Sequence, residues 1–192
     1  MKKCLFLGYK KKDTCIIYFI KKKGWQVEEW GNKKPNIKFC NYDLIISFGY
    51  KNIIKKKFLN KCKRPIINLH ASYLPYNRGA HPNFWSFINN TPKGISIHEI
   101  DEKVDRGKLI YRKRINFKKN VDSFETTYDI LKKKLERLFI SKLDFILNKS
   151  YKPIKINKVK SYHLKKELPK FMKNWKIKIS EAKKLFKYPS KK

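Results

Sequence analysis

"KCLFLGYKKKDTCIIYFIKKKGWQVEEW", residues Lys3–Trp30, places two apolar runs on either side of a helical stretch, and that alternation decides the fold class. KCLFLG (Lys3–Gly8) is apolar at consecutive rather than alternate positions, the pattern of a strand covered on both faces. In DTCIIYFIKKKG the spacing predicts a helix with Asp13 as its N-cap and Gly24 as its stop. WQVEEW then predicts a second strand. Strand, helix and strand in close succession form the unit from which parallel sheets are built.

The same alternation continues outward. YDLIISFG (Tyr42–Gly49) predicts a third buried strand, and NIIKKKFLNKC places Ile53, Ile54, Phe58 and Leu59 on one helical face. PIINLH (Pro65–His70) predicts a fourth strand, and PNFWSFINN a short helix with Pro82 in its first turn. GISIHEI and KLIYRKRI read as neighbouring strands joined by the turn DEKVDRG. From Asp122 the period changes: Phe124, Tyr128, Leu131, Leu135, Leu138, Phe139, Leu143, Ile146 and Leu147 predict one long amphipathic helix that starts near Asp122 or Ser123, with Glu125 in its first turn. The expected fold class is α/β, Rossmann-like: a mostly parallel sheet flanked by helices, a long helix after the core and a short C-terminal extension. Residues 1–150 are expected to form one domain and residues 151–192 an extension, with no second domain. A short terminal helix is expected in that extension, and a structural role for His163 within it.

A net charge of +34 raises the question of nucleic acid. Of the 49 basic residues only Arg64, Arg78, Arg106, Arg112, Arg114 and Arg137 are arginine, the side chain that reads phosphates and bases bidentately. Lysine is spread along the whole chain, so a solvated surface that steers anions is favoured over specific nucleic-acid binding. Cys4, Cys15, Cys40 and Cys62 have no C-x-x-C spacing, which signals neither a zinc site nor a disulfide framework. No apolar stretch approaches the ~18 residues of a membrane span, and the start of the chain does not read as a signal peptide. A cytoplasmic enzyme or binding protein without a membrane partner is expected.

The stretch PIINLHASYLPYNRGAHPNFW (Pro65–Trp85) differs in chemistry from its Lys, Ile and Phe surroundings. Asn68 and His70 lie two apart at a strand end and therefore share a face. An amide donor beside an imidazole suits the polarisation of a carbonyl during nucleophilic attack. The bland alternative is a histidine that only satisfies a backbone carbonyl. Asp105, before Gly107, is a turn former unless its turn approaches His70, where the carboxylate would raise the imidazole pKa and fix its tautomer.

NLHASYLPYNRGAHPNFW followed by TPKGISIHEIDEKVDRGKLI resembles the signature of the folate-dependent formyltransferase superfamily: N-x-H-x-S-x-L-P, a glycine-containing loop, G-x-[ST]-x-H and D-x-G, in matching order from about Asp43 to Lys113. That superfamily includes the glycinamide-ribonucleotide, methionyl-tRNA and sugar-nucleotide N-formyltransferases. The resemblance implies a catalytic trio at Asn68, His70 and Asp105. It implies 10-formyl-tetrahydrofolate as co-substrate and a small-molecule primary amine, phosphorylated, as acceptor, with no metal. Asn68 and protonated His70 would stabilise the oxyanion, while Asp105 would support His70 and accept the amine proton through water. The folate would lie against the backbone of Phe48, Gly49 and Tyr50 and the turn with Asp101, Glu102 and Val104. Tyr76, Asn77, Arg78, His81 and Asn83 would meet the amine substrate, with Arg78 clamping a phosphate and Trp85 and Phe87 packing beneath.

This sequence departs from the family pattern in places. Arg106 fills the middle of D-x-G, and LGYKKKD lacks the G-x-G-S-N type loop of glycinamide-ribonucleotide enzymes. The chain is also too short for the C-terminal barrel of methionyl-tRNA formyltransferases. An amino-sugar nucleotide is therefore the expected acceptor. Glycinamide ribonucleotide, methionyl-tRNA, hydrolysis of the formyl-folate and a nucleic-acid-binding protein on the same fold remain alternatives.

Overall fold

Cys4 and Phe6 of β1 (Lys3–Gly8) face one side of the sheet while Leu5 and Leu7 face the other, and none of the four exposes any surface. The computed structural model describes all residues except 37, 39, 40, 119, 120, 157–159 and 188–192; Cys40 lies outside the described residues. After β1 come α1 (Ile16–Lys22), β2 (Gln26–Gly31), β3 (Leu44–Phe48), α2 (Lys56–Leu59) and β4 (Ile67–His70). They are followed by β5 (Arg78–Gly79), α3 (Pro82–Ile88), β6 (Gly94–Glu99), β7 (Leu109–Arg114), α4 (Phe124–Ser141), α5 (Leu143–Leu147), β8 (Tyr162–His163) and α6 (Ile179–Lys187). The main sheet has six strands in the order β2-β1-β3-β4-β6-β7. β1 pairs in parallel with β2 and β3, and β3 with β4, whereas β6 is antiparallel to both β4 and β7. The mostly parallel sheet expected from the sequence is present, with an antiparallel hairpin at one edge.

Helices cover both faces. On one, Phe6, Ile46 and Phe48 meet Ile16 and Ile20 of α1 and Leu131, Leu135 and Phe139 of α4. On the other, Leu5, Leu7 and Ile45 pack with Ile54 and Ile66, and Phe58 and Leu59 of α2 close over them. A third cluster, Phe84, Trp85, Phe124, Met172 and Ala182, ties α3, α4 and α6 together. Among the described residues no helix is long and apolar enough to cross a membrane.

Three local expectations are corrected. Asp13 does not cap α1: its Oδ2 accepts from Lys10 N at 3.0 Å, Cys15 occupies the cap position, and Thr14 Oγ1 accepts from Ile16 N at 3.3 Å. The second predicted helix shrinks to the turn Lys56–Leu59, leaving Ile53 69% exposed, because that lysine-rich run holds too few apolar residues to cover more. The single long helix is divided at Lys142, whose N–H bonds Phe139 O at 3.1 Å. This tightened i→i−3 turn lets Leu143, Ile146 and Leu147 continue the buried stripe. The start was read correctly: Ser123 caps α4, its side chain accepting from Thr126 N at 3.2 Å, with Glu125 in the first turn.

Phe139 exposes none of its surface and Phe145 exposes 49%. Urea unfolding should show Phe139→Ala losing about 3–5 kcal/mol and Phe145→Ala less than about 1 kcal/mol. Equal losses would contradict the division of the helix face.

Candidate active site

Asn68 and His70 end β4 at the carboxyl edge of the parallel part of the sheet, where ligands of open α/β sheets collect. Antiparallel pairing sets Asn68 opposite His98 of β6. The turn between β6 and β7 then carries Asp105 back over this edge, with Asp105 at φ +50, a left-handed conformation that aspartate tolerates better than most residues. Gly107 makes that return possible, since a Cβ there would sit 1.7 Å from Glu99 O.

The three expected side chains converge. Asp105 Oδ2 lies 3.7 Å from His70 Nε2 and accepts from Gly79 N at 2.8 Å; Oδ1 lies 3.5 Å from His98 Nε2 and 3.4 Å from Asn68 Nδ2. His98 Nδ1–H donates to Glu99 O at 2.7 Å, which leaves Nε2 to accept from Asn68 Nδ2 at 3.0 Å and so orients the amide. His70 Nε2 also faces Asn77 O at 3.4 Å, and its ring stands edge-on to His98 at 6.1 Å between centroids. His98 is enclosed (1% exposed) and His70 nearly so.

Burial pushes the His70 imidazole below its ordinary value, and it outweighs the pull of Asp105 in the other direction. Asp105 acts on the imidazole with the expected sign, but desolvation is larger. Burial also opposes ionisation of Asp105, yet His70, His98 and the Gly79 N–H prevail and hold its carboxyl well below the usual carboxylate range. Side by side stand an ionised acceptor, a neutral imidazole and an oriented amide donor. This set can stabilise a developing oxyanion and move a proton.

The expected folate contacts flank this cluster, Phe48 through the β3–β4 register and Asp101, Glu102 and Val104 along the chain, but differ in access. Phe48 is buried with its ring edge-on to Tyr9 at 4.8 Å, and its carbonyl accepts from Tyr9 N at 2.9 Å. Gly49 has φ +70 and lies so close to Tyr9 that a Cβ would stand 2.9 Å from its ring. Tyr50 donates its hydroxyl to Lys33 O at 2.6 Å. Asp101 Oδ1 accepts from Lys103 N at 2.9 Å, exposed Glu102 pairs with Lys56 at 3.0 Å, and Val104 is half-buried. Arg106 is exposed.

The expected amine-binding residues are divided by the structure. Half-buried Tyr76 gives its carbonyl to Ser72 Oγ at 2.6 Å. Asn77 is enclosed and its amide is spent on Thr91 Oγ1 at 2.7 Å and Ser161 Oγ at 3.3 Å. Asn83 likewise ties α3 to α4 through Phe124 O at 3.0 Å and Thr127 Oγ1 at 2.9 Å. These two amides hold the fold instead of projecting from it, because the Pro-bounded loop tucks inward. His81 caps α3 at φ 53 with its ring 5.3 Å from that of Trp175, and its Nε2 is buried without an acceptor. Arg78 is 1% exposed, and all three of its guanidinium nitrogens are buried with no acceptor among the described residues. Sequence reasoning missed His98 and the Gly79 N–H. The alternation in GISIHE put His98 on a face with Ser96, but only the β4–β6 register brings it to Asn68.

The family model described as formyl transferase matches residues 2–143. Methionyl-tRNA formyltransferase of Pelagibacter ubique is 39% identical over 117 residues, 57% of this chain and 38% of that protein. GDP-perosamine N-formyltransferase of Brucella melitensis is 32% identical over 106 residues, 55% of this chain and 39% of that protein. These alignments thus span well under half of the curated relatives' length. The crystal structure of the formyltransferase PseJ from Anoxybacillus kamchatkensis, in complex with UDP-4,6-dideoxy-4-formamido-L-AltNAc and tetrahydrofolate, is 34% identical with a TM-score of 0.84, covering 93% of this chain and 96% of that one. The motif blocks that converge around Asp105 thus fall within a family match running through nearly the whole main sheet and α4, and the chain belongs to the formyl transferase family.

Proposed function

We propose that this chain transfers a formyl group from 10-formyl-tetrahydrofolate to a primary amine on an amino-sugar nucleotide. The convergence of Asn68, His70 and Asp105 at one sheet edge carries the reading. The acceptor class is supported by likeness, over nearly the full length of both chains, to a formyltransferase crystallised with a UDP-linked formamido sugar and tetrahydrofolate.

In this reading the amine nitrogen bonds to the formyl carbon, and the Asn68 amide together with His70 steadies the charge that gathers on the formyl oxygen. His70 is neutral at rest, so it takes the proton released by the amine; Asp105 stabilises the resulting imidazolium. The same proton passes to the folate nitrogen as its bond to the formyl carbon breaks, leaving a formamide and tetrahydrofolate in balance. The backbone of Phe48, Gly49 and Tyr50 and the turn of Asp101, Glu102 and Val104 would receive the pterin edge. Arg78 supplies the substrate's anion with a forked donor: a cation buried without an acceptor is costly, and a phosphate would relieve it. Tyr76 and His81 border the same loop.

Incubation with 10-formyl-tetrahydrofolate and a panel of UDP-, dTDP- and GDP-linked amino sugars should yield a formamido sugar and tetrahydrofolate. Formate release without an amine, or formylation of methionyl-tRNA alone, would overturn the acceptor assignment. Asn68→Ala and His70→Ala should each lower kcat by about 10²–10³ while remaining folded by circular dichroism; wild-type turnover in either would contradict its role. Arg78→Lys, which keeps the charge but loses the fork, should raise KM for the nucleotide sugar about tenfold with kcat nearly unchanged, whereas a pure kcat loss would exclude a binding role.

The pH dependence has a defined sign. The unfolded chain protonates His70 near pH ~6.5 and the folded chain only at lower pH, so stability falls as pH drops below about 6.5. Asp105 acts in the same sense further into acid: its stabilising charge is present above its unfolded value of about 3.9 and lost as pH falls through its lower folded value. Urea titrations between about pH 7.5 and about pH 5.5 should show a shallower loss of stability for His70→Gln than for wild type. An unchanged slope would mean that His70 is not held neutral.

A further inference from the structure

β5 consists of two residues, and along a strand successive N–H groups point to opposite sides. Arg78 N donates to Ser161 O at 3.1 Å and Ala80 N to His163 O at 2.9 Å. Between them Gly79 N points the other way, to Asp105 Oδ2 at 2.8 Å. Ser161 adds side-chain contacts, its Oγ accepting from Asn77 N at 2.7 Å and lying 3.3 Å from Asn77 Oδ1. The carbonyl of that same Asn77 faces His70 Nε2. One short segment, residues 161–163, therefore backs both the donor to Asp105 and the acceptor beside His70.

Among the described residues β8 pairs with β5 alone and has no strand partner in the main sheet. Its anchor is the His163 ring, which stacks on Trp85 of α3 with centroids 4.1 Å apart and planes 9° from parallel. Asn89 Nδ2 at 3.3 Å from Nε2 and Glu167 Oε2 at 3.2 Å from Nδ1 hold its two nitrogens. Trp85 is itself buried in the cluster with Phe84 and Phe124, so the ring rests on a fixed wall. The fit is close: a Cβ on Gly79, which sits at φ +85, would lie 2.3 Å from His163 O.

We infer that His163 is a positioning residue: stacked on Trp85, it sets β8 where β5 aims the Gly79 N–H at Asp105, and so fixes the carboxylate against His70. The inference rests on the assignment of Asp105 to formyl transfer under the proposed function. His163 acts through β5 and Asp105: among the described residues its side chain meets Trp85, Asn89 and Glu167, and its carbonyl accepts from Ala80 N. The C-terminal segment thereby belongs to the working site instead of merely covering it.

The test compares wild type, His163→Ala and His163→Phe in full-length protein, by kcat/KM for formyl transfer and by NMR amide exchange at Gly79 and, as a reference in the main sheet, at Ile97. His163→Ala should speed Gly79 exchange about tenfold or more relative to Ile97 and lower kcat/KM by about tenfold to about a hundredfold. His163→Phe, which keeps the stack, should restore both to within about threefold of wild type. An unchanged Gly79, Gly79 and Ile97 rising together, or a wild-type kcat/KM in His163→Ala would each overturn the inference. Absence of formyl transfer in wild type would sink the proposed function instead, and the Gly79-to-Ile97 ratio would still decide whether His163 positions this strand.

Discussion

An ionised carboxylate lies at the centre of this molecule's working edge, and Asp105 stays charged there only because separate pieces of chain bring donors to it. Gly79 N–H comes from β5, and the Asn68 amide and His70 come from the end of β4. A buried charge is tolerable when charge-assisted hydrogen bonds replace its water, and removing one partner of such a cluster typically costs about 3–5 kcal/mol. The β4–β6 register, the left-handed turn at Asp105 and the inward tuck of the proline-bounded loop must all be in place together for the site to form.

The surrounding electrostatics give the site its direction. With a net charge of +34, the surface draws phosphorylated molecules toward the protein without specifying any one of them. Within the cleft edge the balance is finer: His70 is kept neutral by burial while Asp105 is kept charged by its donors. In the proposed reaction, two ionisable groups whose environments push their values apart would give the proton path its direction. Enclosed Arg78 adds a permanent cation one residue from the glycine that serves Asp105.

The strands and the family signature were legible because both are local. Consecutive apolar residues marked β1, β3 and β4, and strand parity alone put Asn68 and His70 on one face. What sequence could not supply was anything set by register or long-range return. The approach of Asp105 depends on a turn folding back over a neighbouring strand, and His98 meets Asn68 only through antiparallel pairing. Asn77 and Asn83, which the resemblance implies meet the amine substrate, bond Ser161 and Thr127, 84 and 44 residues away, and those partners are not legible from the loop. The same holds for His163, whose stacking on Trp85 joins segments with no shared periodicity. The misplaced cap at Asp13 and the division at Lys142 are short-range errors, in which side-chain competition for backbone groups and a tightened i→i−3 turn overrode propensity.

The central claim is that the Asp105 carboxylate, and not merely its shape, drives chemistry at this edge. Asp105→Asn keeps the volume and removes the charge, so its kcat/KM for formyl transfer, measured beside wild type under conditions where both are folded, tests that claim most directly. The account expects a fall of about 10²–10⁴. Full turnover in the asparagine variant would contradict it.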